Sequence, residues 1–470
     1  MRDLEHLRRR YADHVPGLLG ARHSYAVLCP LVERPDGLHL LFEVRSAALH
    51  RQPGEVCFPG GRMEAGETPE QCALRETEEE LAIPRQEVEV LGRPDFICNQ
   101  AGFLMQPVEQ RIHAKFAAQA KARLAQIEGL IKIGITGSFG KTSTKFALAT
   151  ILSEKYRTYA SPGSTNTPMG LSRVINEQLE DDCEVFIAEM GSRHVGDIRE
   201  LCQLVEPQYG VITSIGAAHL ETFGNIATVA NAKFELIESL PKDGCAFFGT
   251  GGEIDKLYAR CHMRKVSAGI ETGNVRAYDI ESGPFGSRFT LARGEEHVRC
   301  ETQLLGRHNI ANITLASAVA SELGMKLSEI ARGIRKIQPV EHRLQLIRGP
   351  VSVIDDAFNS NPEGAKEALN VLSGFLGQRV IVTPGMVEMG EEEDRYNYIF
   401  GTQIAAVCDA AILVGEKHTK PIAKGLVQSG FDRNKLFVVA SLEEAQEKLK
   451  SLVKSGDVVL FENDLPDNYS

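Results

Sequence analysis

One short segment constrains the fold of this chain more than any other: an apolar run that passes through a glycine turn into a helix-forming stretch. Ile131, Lys132, Ile133, Gly134 and Ile135 lead directly into Thr136-Gly137-Ser138-Phe139-Gly140-Lys141-Thr142-Ser143, and helical sequence continues through Leu152. A glycine turn between strand and helix aims backbone N–H groups and a helix N-terminus at a phosphate. Gly137, Ser138, Gly140 and Ser143 line such a turn, Lys141 adds a point charge, and the Thr142 hydroxyl can hold Mg²⁺. The segment implies a binding site for ATP. The usual phosphate loop carries glycine at the position of Ile135, whereas the glycines here are at 134 and 137.

Around this segment, buried-type strands alternate with helices. Strands expected at 131–135, 185–188, 209–213 and 246–248 make the pattern of a parallel sheet covered on both faces. A stretch rich in Gly, Ser, Thr and Arg at 273–300 predicts an antiparallel excursion. From Gln338 a second α/β set begins, with strands expected at 351–354, 380–383, 411–414, 436–439 and 458–461. Upstream, Ile112, Phe116, Ala120, Leu124 and Ile127 recur every three or four residues and predict a connecting helix over 109–127. Residues 24–92 alternate apolar runs with turns around one helical stretch, 69–81, which reads as a small α+β unit. At about 150 residues per domain, 470 residues make about three domains. The expected class is α/β: a central phosphate-loop domain with a parallel sheet (108–337) and a C-terminal Rossmann-like domain (338–470). A partial α+β domain (1–107) precedes them.

Composition removes several alternatives. A net charge of −11 argues against nucleic acid as a partner, because a Lys/Arg excess dominates such binding. Ten cysteines with no C-x-x-C pair read as small buried residues in a reducing compartment. The first ten residues are charged throughout and no apolar run is long enough to span a bilayer, so the expectation is a cytoplasmic monomer.

The first unit carries its own chemistry. Glu76, Glu79 and Glu80 stand at i, i+3 and i+4 and share one helical face. Carboxylates crowded in this way repel unless cations neutralise them, and hard oxygen donors suit Mg²⁺ or Mn²⁺. The segment Gly61 to Ile83 resembles the Nudix box, G-x5-E-x7-R-E-U-x-E-E-x-G-U, with Thr77 at the aliphatic position and Ala82 at the second glycine. Residues 40–46 and 51–61 are similar to the extended signature of the coenzyme A pyrophosphatase branch. That resemblance implies metal-assisted pyrophosphate hydrolysis, with Glu79 and Glu80 as ligands, Glu76 as ligand or base, and Arg75 orienting the cluster. The similarity fades near residues 102–107.

The variant T-G-[ST]-x-G-K-[ST] resembles the Mur ligases, and further matches follow in order over 108–470. Asn166 and Thr167 lie in a segment like the family loop that approaches substrate and γ-phosphate. Glu189 ends an apolar strand where the family holds Mg²⁺, His219 matches the histidine of a second metal, and Lys233 matches a lysine that many relatives carbamoylate. Asn309, in Gly306-Arg307-His308-Asn309, would face the adenine. Arg343 and Asp356, the latter in Asp355-Asp356-Ala357-Phe358-Asn359-Ser360-Asn361-Pro362, resemble the phosphate-reaching arginine and the D-D-A-Y-N-A-N-P motif of the branch that adds D-alanyl-D-alanine. The resemblance implies an ATP-dependent ligase that forms an acyl phosphate and lets an amine displace phosphate. Its substrates would be a peptidoglycan precursor and an amino acid or dipeptide. Two departures stand out: the helix at 109–127 runs straight into the phosphate-loop strand where cell-wall members carry a UDP-binding domain, and the tail after Phe461 lacks their basic K-G-S-R ending. A Nudix hydrolase acting on coenzyme A or a related dinucleotide, and a nucleotide-binding scaffold without turnover, remain as alternatives.

Overall fold

The computed structural model describes residues 25–28, 30–34, 37–44, 56–64, 66–88, 97–98, 104–105, 107–216, 220–283, 285–357, 361–387 and 389–462. The chain divides into two compact units, Met1–Lys115 and Phe116–Ser470.

In the first unit, strand β1 (Tyr25–Val27) pairs antiparallel with β2 (Gly60–Arg62), and helix α1 (Pro69–Leu81) packs on both through Ala26, Cys72 and Ala73. The bounds of α1 are those the sequence predicts. Thr68 and Gln71 form a reciprocal capping box at its start, and Pro69 occupies the first turn, where its missing N–H costs nothing. At its end Ala82 takes the left-handed conformation (φ 54°), the helix-end geometry that glycine adopts without strain. Thr77, fully buried where an aliphatic side chain is usual, returns its hydroxyl to the Ala73 carbonyl at 2.7 Å.

Helix α2 (Pro107–Gln126) realises the connecting helix. Its Ala120 and Leu124, with Ile127 just beyond its end, join the core of the second unit, while Lys121 pairs with Glu206 and Arg123 with Asp181. The nine-stranded central sheet contains β3 (Ile131–Thr136), β4 (Thr158–Ala160), β5 (Val185–Glu189), β6 (Tyr209–Ile212), β7 (Cys245–Phe248), β8 (Lys265–Ile270), β9 (Val275–Gly283), β10 (Gly286–Arg293) and β11 (Glu296–Thr302). Their order is β4-β5-β3-β6-β7-β8-β9-β10-β11, parallel through β9 and antiparallel from β9 to β11. The excursion expected at 273–300 is these last three strands. Strands β4 and β8 were not anticipated; three residues are too few to show a period, and Lys265-Val266-Ser267-Ala268 mixes polar and small residues.

Helices cover both faces. On one, α3 (Lys141–Leu152), α7 (Arg307–Glu322) and α8 (Leu327–Lys336) bury Leu148, Ile151, Ile313 and Ile330 against Ile133 and Ile135. On the other, α4 (Pro168–Glu177), α5 (Asp197–Val205) and α6 (Ile226–Glu238) meet Phe186, Ala188 and Ile212. Each fully buried aliphatic or aromatic side chain contributes about 1.5–3 kcal/mol. Gly134 has a packing reason: a Cβ there would lie 2.9 Å from a Leu236 methyl, so the glycine lets α6 approach the strand.

The last lobe is a six-stranded sheet of β12 (Gln345–Ile347), β13 (Ser352–Asp356), β14 (Arg379–Thr383), β15 (Ala410–Val414), β16 (Leu436–Val439) and β17 (Val458–Glu462). The order β12-β13-β17-β14-β15-β16 is parallel except for β12, with β17 inserted between β13 and β14. Ligands of such sheets bind beyond the carboxyl ends of the strands at this kind of switch point. The eight cysteines with described side chains are free, and among the described residues no helix is long and apolar enough to cross a membrane.

Candidate active site

The glycine turn lies where the sequence puts it, between β3 and α3, and its shape depends on the loop after β6. Ser138 N donates to Ser214 O at 2.8 Å, Phe139 N to Ser214 Oγ at 3.0 Å, and Ser138 Oγ exchanges hydrogen bonds with the Gly216 backbone. Gly137 (φ 150°) sits so close to this loop that a Cβ would fall 2.0 Å from Thr213 Oγ1. Gly140 (φ 77°) begins α3 with Asn312 of α7 beside it, 2.5 Å from where a Cβ would stand. Both positions require glycine. Lys141 turns its Nζ onto the carbonyls of Gly137 (2.9 Å) and Ser138 (3.4 Å). Burial lowers its pKa against the opposing attraction of Glu189.

Glu189, at the carboxyl end of β5, is 1% exposed and gathers side chains from two other segments. Its Oε2 accepts from Thr142 Oγ1 at 2.9 Å and from Lys145 Nζ at 3.0 Å, while Oε1 accepts from Asn166 Nδ2 at 3.2 Å. The parallel pairing of β5 with β3 makes this possible, since it sets Glu189 beside Ile135 at the root of the glycine turn. Ser161 Oγ accepts from the Glu189 N–H and ties in the loop that carries Asn166. Thr167 caps α4 by accepting from Gly170 N. Thr142 and Glu189 are hard oxygen donors already in contact, a donor set that fits Mg²⁺.

Lys233, on α6, is 2% exposed and donates to Ser192 Oγ at 2.6 Å. Burial first, then the charge of Lys141, brings its pKa down to about 7. A lysine held near neutrality is a nucleophile. His219 lies outside the described residues, as do Phe358, Asn359 and Ser360.

From the last lobe, Arg343 stands between two residues in the left-handed region, His342 (φ 57°) and Leu344 (φ 50°). Such a turn costs strain that the surroundings must offset; here Leu344 N donates to Asp356 Oδ1 at 2.9 Å and His342 Nδ1 pairs with Asp355 at 2.8 Å. Burial lowers the Arg343 pKa against the pull of Asp356 and Glu189. Arg343 is thus within electrostatic reach of the central site. Burial raises the Asp356 carboxyl to about 6, and its side chain meets that of Glu462 at the end of β17. Asn309 is buried in the first turn of α7, with its Nδ2 on Leu305 O at 2.9 Å.

In the first unit the acidic face is organised by Arg75. Its guanidinium holds Glu67 through both oxygens (3.0 and 3.1 Å), Glu76 at 2.7 Å and Glu79 at 3.3 Å. The Arg75 hydrogen bond drops the Glu67 pKa to about 2. Glu80 accepts from Gly60 N at 2.9 Å, and Glu76 lies so close to Gly61 that a Cβ there would be 2.3 Å from its carboxyl carbon. Among the described residues no three carboxylate, histidine or cysteine side chains converge in a ready metal-binding group. Residues 45–55, part of the extended upstream signature, lie outside the described set.

Sequence reasoning missed Lys145, Ser161 and Ser192. Lys145 left one signal, a lone cation in an otherwise apolar helix stretch four residues after Lys141; the two serines left none.

Residues 135–320 match the Mur ligase middle domain, 342–462 the Mur ligase glutamate ligase domain, and 22–125 the NUDIX domain. The UDP-N-acetylmuramoyl-tripeptide--D-alanyl-D-alanine ligase of Mycobacterium tuberculosis is 30% identical over 379 residues, which span 74% of this chain and 72% of that protein. The chain belongs to the Mur ligase family. The Bacillus subtilis ligase of the same name is 28% identical over 348 residues, covering 73% of this chain and 74% of its own. Among solved Mur ligases, MurF from Acinetobacter baumannii superposes with a TM-score of 0.68 at 27% identity, over 75% of this chain and 77% of that one. MurF from Thermotoga maritima, solved with ADP, shares the fold with a TM-score of 0.69 at 24% identity, over 79% and 83%.

Proposed function

We propose that this protein is an ATP-dependent ligase that joins a carboxylate of a peptidoglycan precursor to an amine, with D-alanyl-D-alanine as the first amine to test. The observation that carries this reading is the contact of Thr142 with Glu189 beside one glycine turn, with the charges of Lys141, Lys233 and Arg343, the last from the other α/β lobe, in electrostatic reach. A carboxylate is a poor electrophile. Its oxygen first attacks the γ-phosphorus of ATP, ADP leaves, and an acyl phosphate forms. The amine nitrogen then attacks the acyl carbon, phosphate departs, and the nitrogen gives up its proton.

Each residue has a part that follows from its position. The N–H groups of the 137–141 turn cradle the phosphates, with Ser138, Ser143 and Thr167 nearby. Lys141 leaves the loop carbonyls for the β- and γ-phosphates, and Arg343 brings a second cation from the facing lobe. Thr142 and Glu189 would hold Mg²⁺, which would supply positive charge to the transferring phosphoryl group. Asn166 orients Glu189, and Asn309 lies on the nucleotide side. Lys233, neutral above about pH 7, takes up CO2: its amine nitrogen bonds the carbon, one proton leaves to solvent, and the neutral amine becomes a carbamate anion. Asp356 steadies Arg343. His219 is a candidate ligand for a second metal.

Purified protein should release ADP only when both an acyl substrate and an amine are present. ATP hydrolysis indifferent to any amino acid or dipeptide overturns the reading. The Arg75-centred acidic face and the NUDIX match to 22–125 favour a second activity, Mg²⁺- or Mn²⁺-assisted cleavage of a nucleoside diphosphate derivative such as coenzyme A. Glu76, Glu79 and Glu80 would act there, and Glu79→Gln should abolish it.

A further inference from the structure

Lys145 has no part in the mechanism above, yet its long side chain is fully buried and carries a charge. It lies one helical turn beyond Lys141, and the two lysines divide their partners. Lys141 is bonded to the carbonyls of its own loop, whereas Lys145 Nζ donates to Glu189 Oε2 at 3.0 Å and to Gly163 O at 2.5 Å. Lys145 therefore joins three segments: α3, the end of β5 and the 161–167 loop whose Asn166 holds the other Glu189 oxygen. A buried ion pair is a costly way to join them, because both ions leave water and apolar packing would serve as well. Its retention at the carboxylate expected to take the metal suggests a task in metal binding.

The surrounding charges define that task. Lys141, Lys145 and Arg343 bring three positive charges to Glu189, and Asp356 lies near Arg343. Without nucleotide, a divalent cation reaching Glu189 must displace or crowd an ammonium 3.0 Å away in a medium of low dielectric constant. A nucleotide's phosphates reverse the balance and supply further oxygens. We propose that Lys145 is a built-in counter-cation that keeps Glu189 from binding a free divalent metal, so that the metal enters only together with a nucleotide. The inference rests on the ligase reading in taking Glu189 as a metal ligand. Lys145 acts through Glu189 and is a positioning residue.

The test is Mn²⁺ binding to the full chain, followed by electron paramagnetic resonance with and without ADP. Glu189→Gln identifies the part of the signal that belongs to this site, so that metal held by the first unit is subtracted. Nucleotide-free wild-type protein should show no Glu189-dependent binding at millimolar Mn²⁺, and ADP should create it. Lys145→Met, similar in length and uncharged, should bind Mn²⁺ without nucleotide at least about tenfold more tightly. Lys145→Arg should behave as wild type. A purely structural lysine gives the opposite result, because disrupting the site weakens metal binding. Unchanged Mn²⁺ affinity in Lys145→Met overturns the proposal. So does Glu189-dependent Mn²⁺ binding by nucleotide-free wild type, a measurement that needs no folded variant at position 145. If ADP fails to bind at all, the ligase reading fails, and the nucleotide-free comparison still decides the role of Lys145.

Discussion

The two acidic sites of this protein are built in opposite ways. Glu76, Glu79 and Glu80 come from one helix, their organiser Arg75 is on the same helix, and Glu79 is 58% exposed. Glu189 is 1% exposed at the end of a central strand, and its partners Thr142, Lys145 and Asn166 come from two other segments. The first unit supports its helix with a small cluster around Ala26, Cys72 and Ala73, whereas the ligase site sits on a sheet with cores on both faces. A site made from one helix forms as soon as the helix does. A site made from strand ends forms only with the sheet, and in exchange it excludes water and gains stronger electrostatics.

The sharpest way to break this comparison is to silence each site in turn. Lys141→Ala should lower substrate-dependent ADP release about a thousandfold, since on the proposed mechanism it removes a cation that stabilises the transferring phosphoryl group. The same protein should keep any hydrolysis of coenzyme A, which Glu79→Gln should abolish. If Lys141→Ala removes both activities, the sites are not separate.

A smaller effect tests whether burial does at Lys233 what exposure prevents elsewhere. Its ammonium forms as pH falls through about 7, and the protonated amine cannot bond CO2. Ligation should then drop by up to about tenfold per pH unit below 7 and respond to added bicarbonate above it. Flat activity from pH 6 to 8, with and without CO2, would remove Lys233 from the mechanism.

Asp356 measures the stability given up for such a site. Its folded pKa of about 6 lies above the ordinary carboxylate value, so the stability it contributes is full below about pH 4 and is lost as pH rises through 6. Asp356→Asn keeps the acceptor for Leu344 N without that loss. Its melting temperature should exceed wild type at pH 8, by an amount equivalent to at most about 3 kcal/mol, and the margin should close by about pH 4. Ligation should fall in the same variant.

The smallest expected effect belongs to the helical site. Ala82 occupies a left-handed position that glycine tolerates better, so Ala82→Gly should stabilise α1 by about 1 kcal/mol, read as slower amide exchange along 72–81. No change in exchange would mean that the end of α1 is not strained.

What could be read in advance follows the same division. The bounds of α1, the glycine turn and the strands at 131–135, 185–188 and 436–439 are written in contiguous residues, and local rules suffice for them. A lysine inside a helix is ordinarily solvated, and only the packing of α3 against β5 turns Lys145 inward. Ser192 and Ser161 carry no local mark at all. Glu462 drew notice only as a missing basic ending, yet the insertion of β17 beside β13 sets it against Asp356.

By itself, the sequence determined the family, the alternation of strands and helices, the phosphate turn and the acidic helix, because each is a matter of spacing along fewer than about thirty residues. The tertiary structure alone decided which cation stands beside Glu189, that burial brings the Lys233 pKa down to about 7, and that Arg343 of the other lobe lies within electrostatic reach of Glu189. The physical reason is that charge energies depend on distance and burial. Both are set by strand order, which here makes neighbours of Thr142 and Glu189, 47 positions apart in the chain.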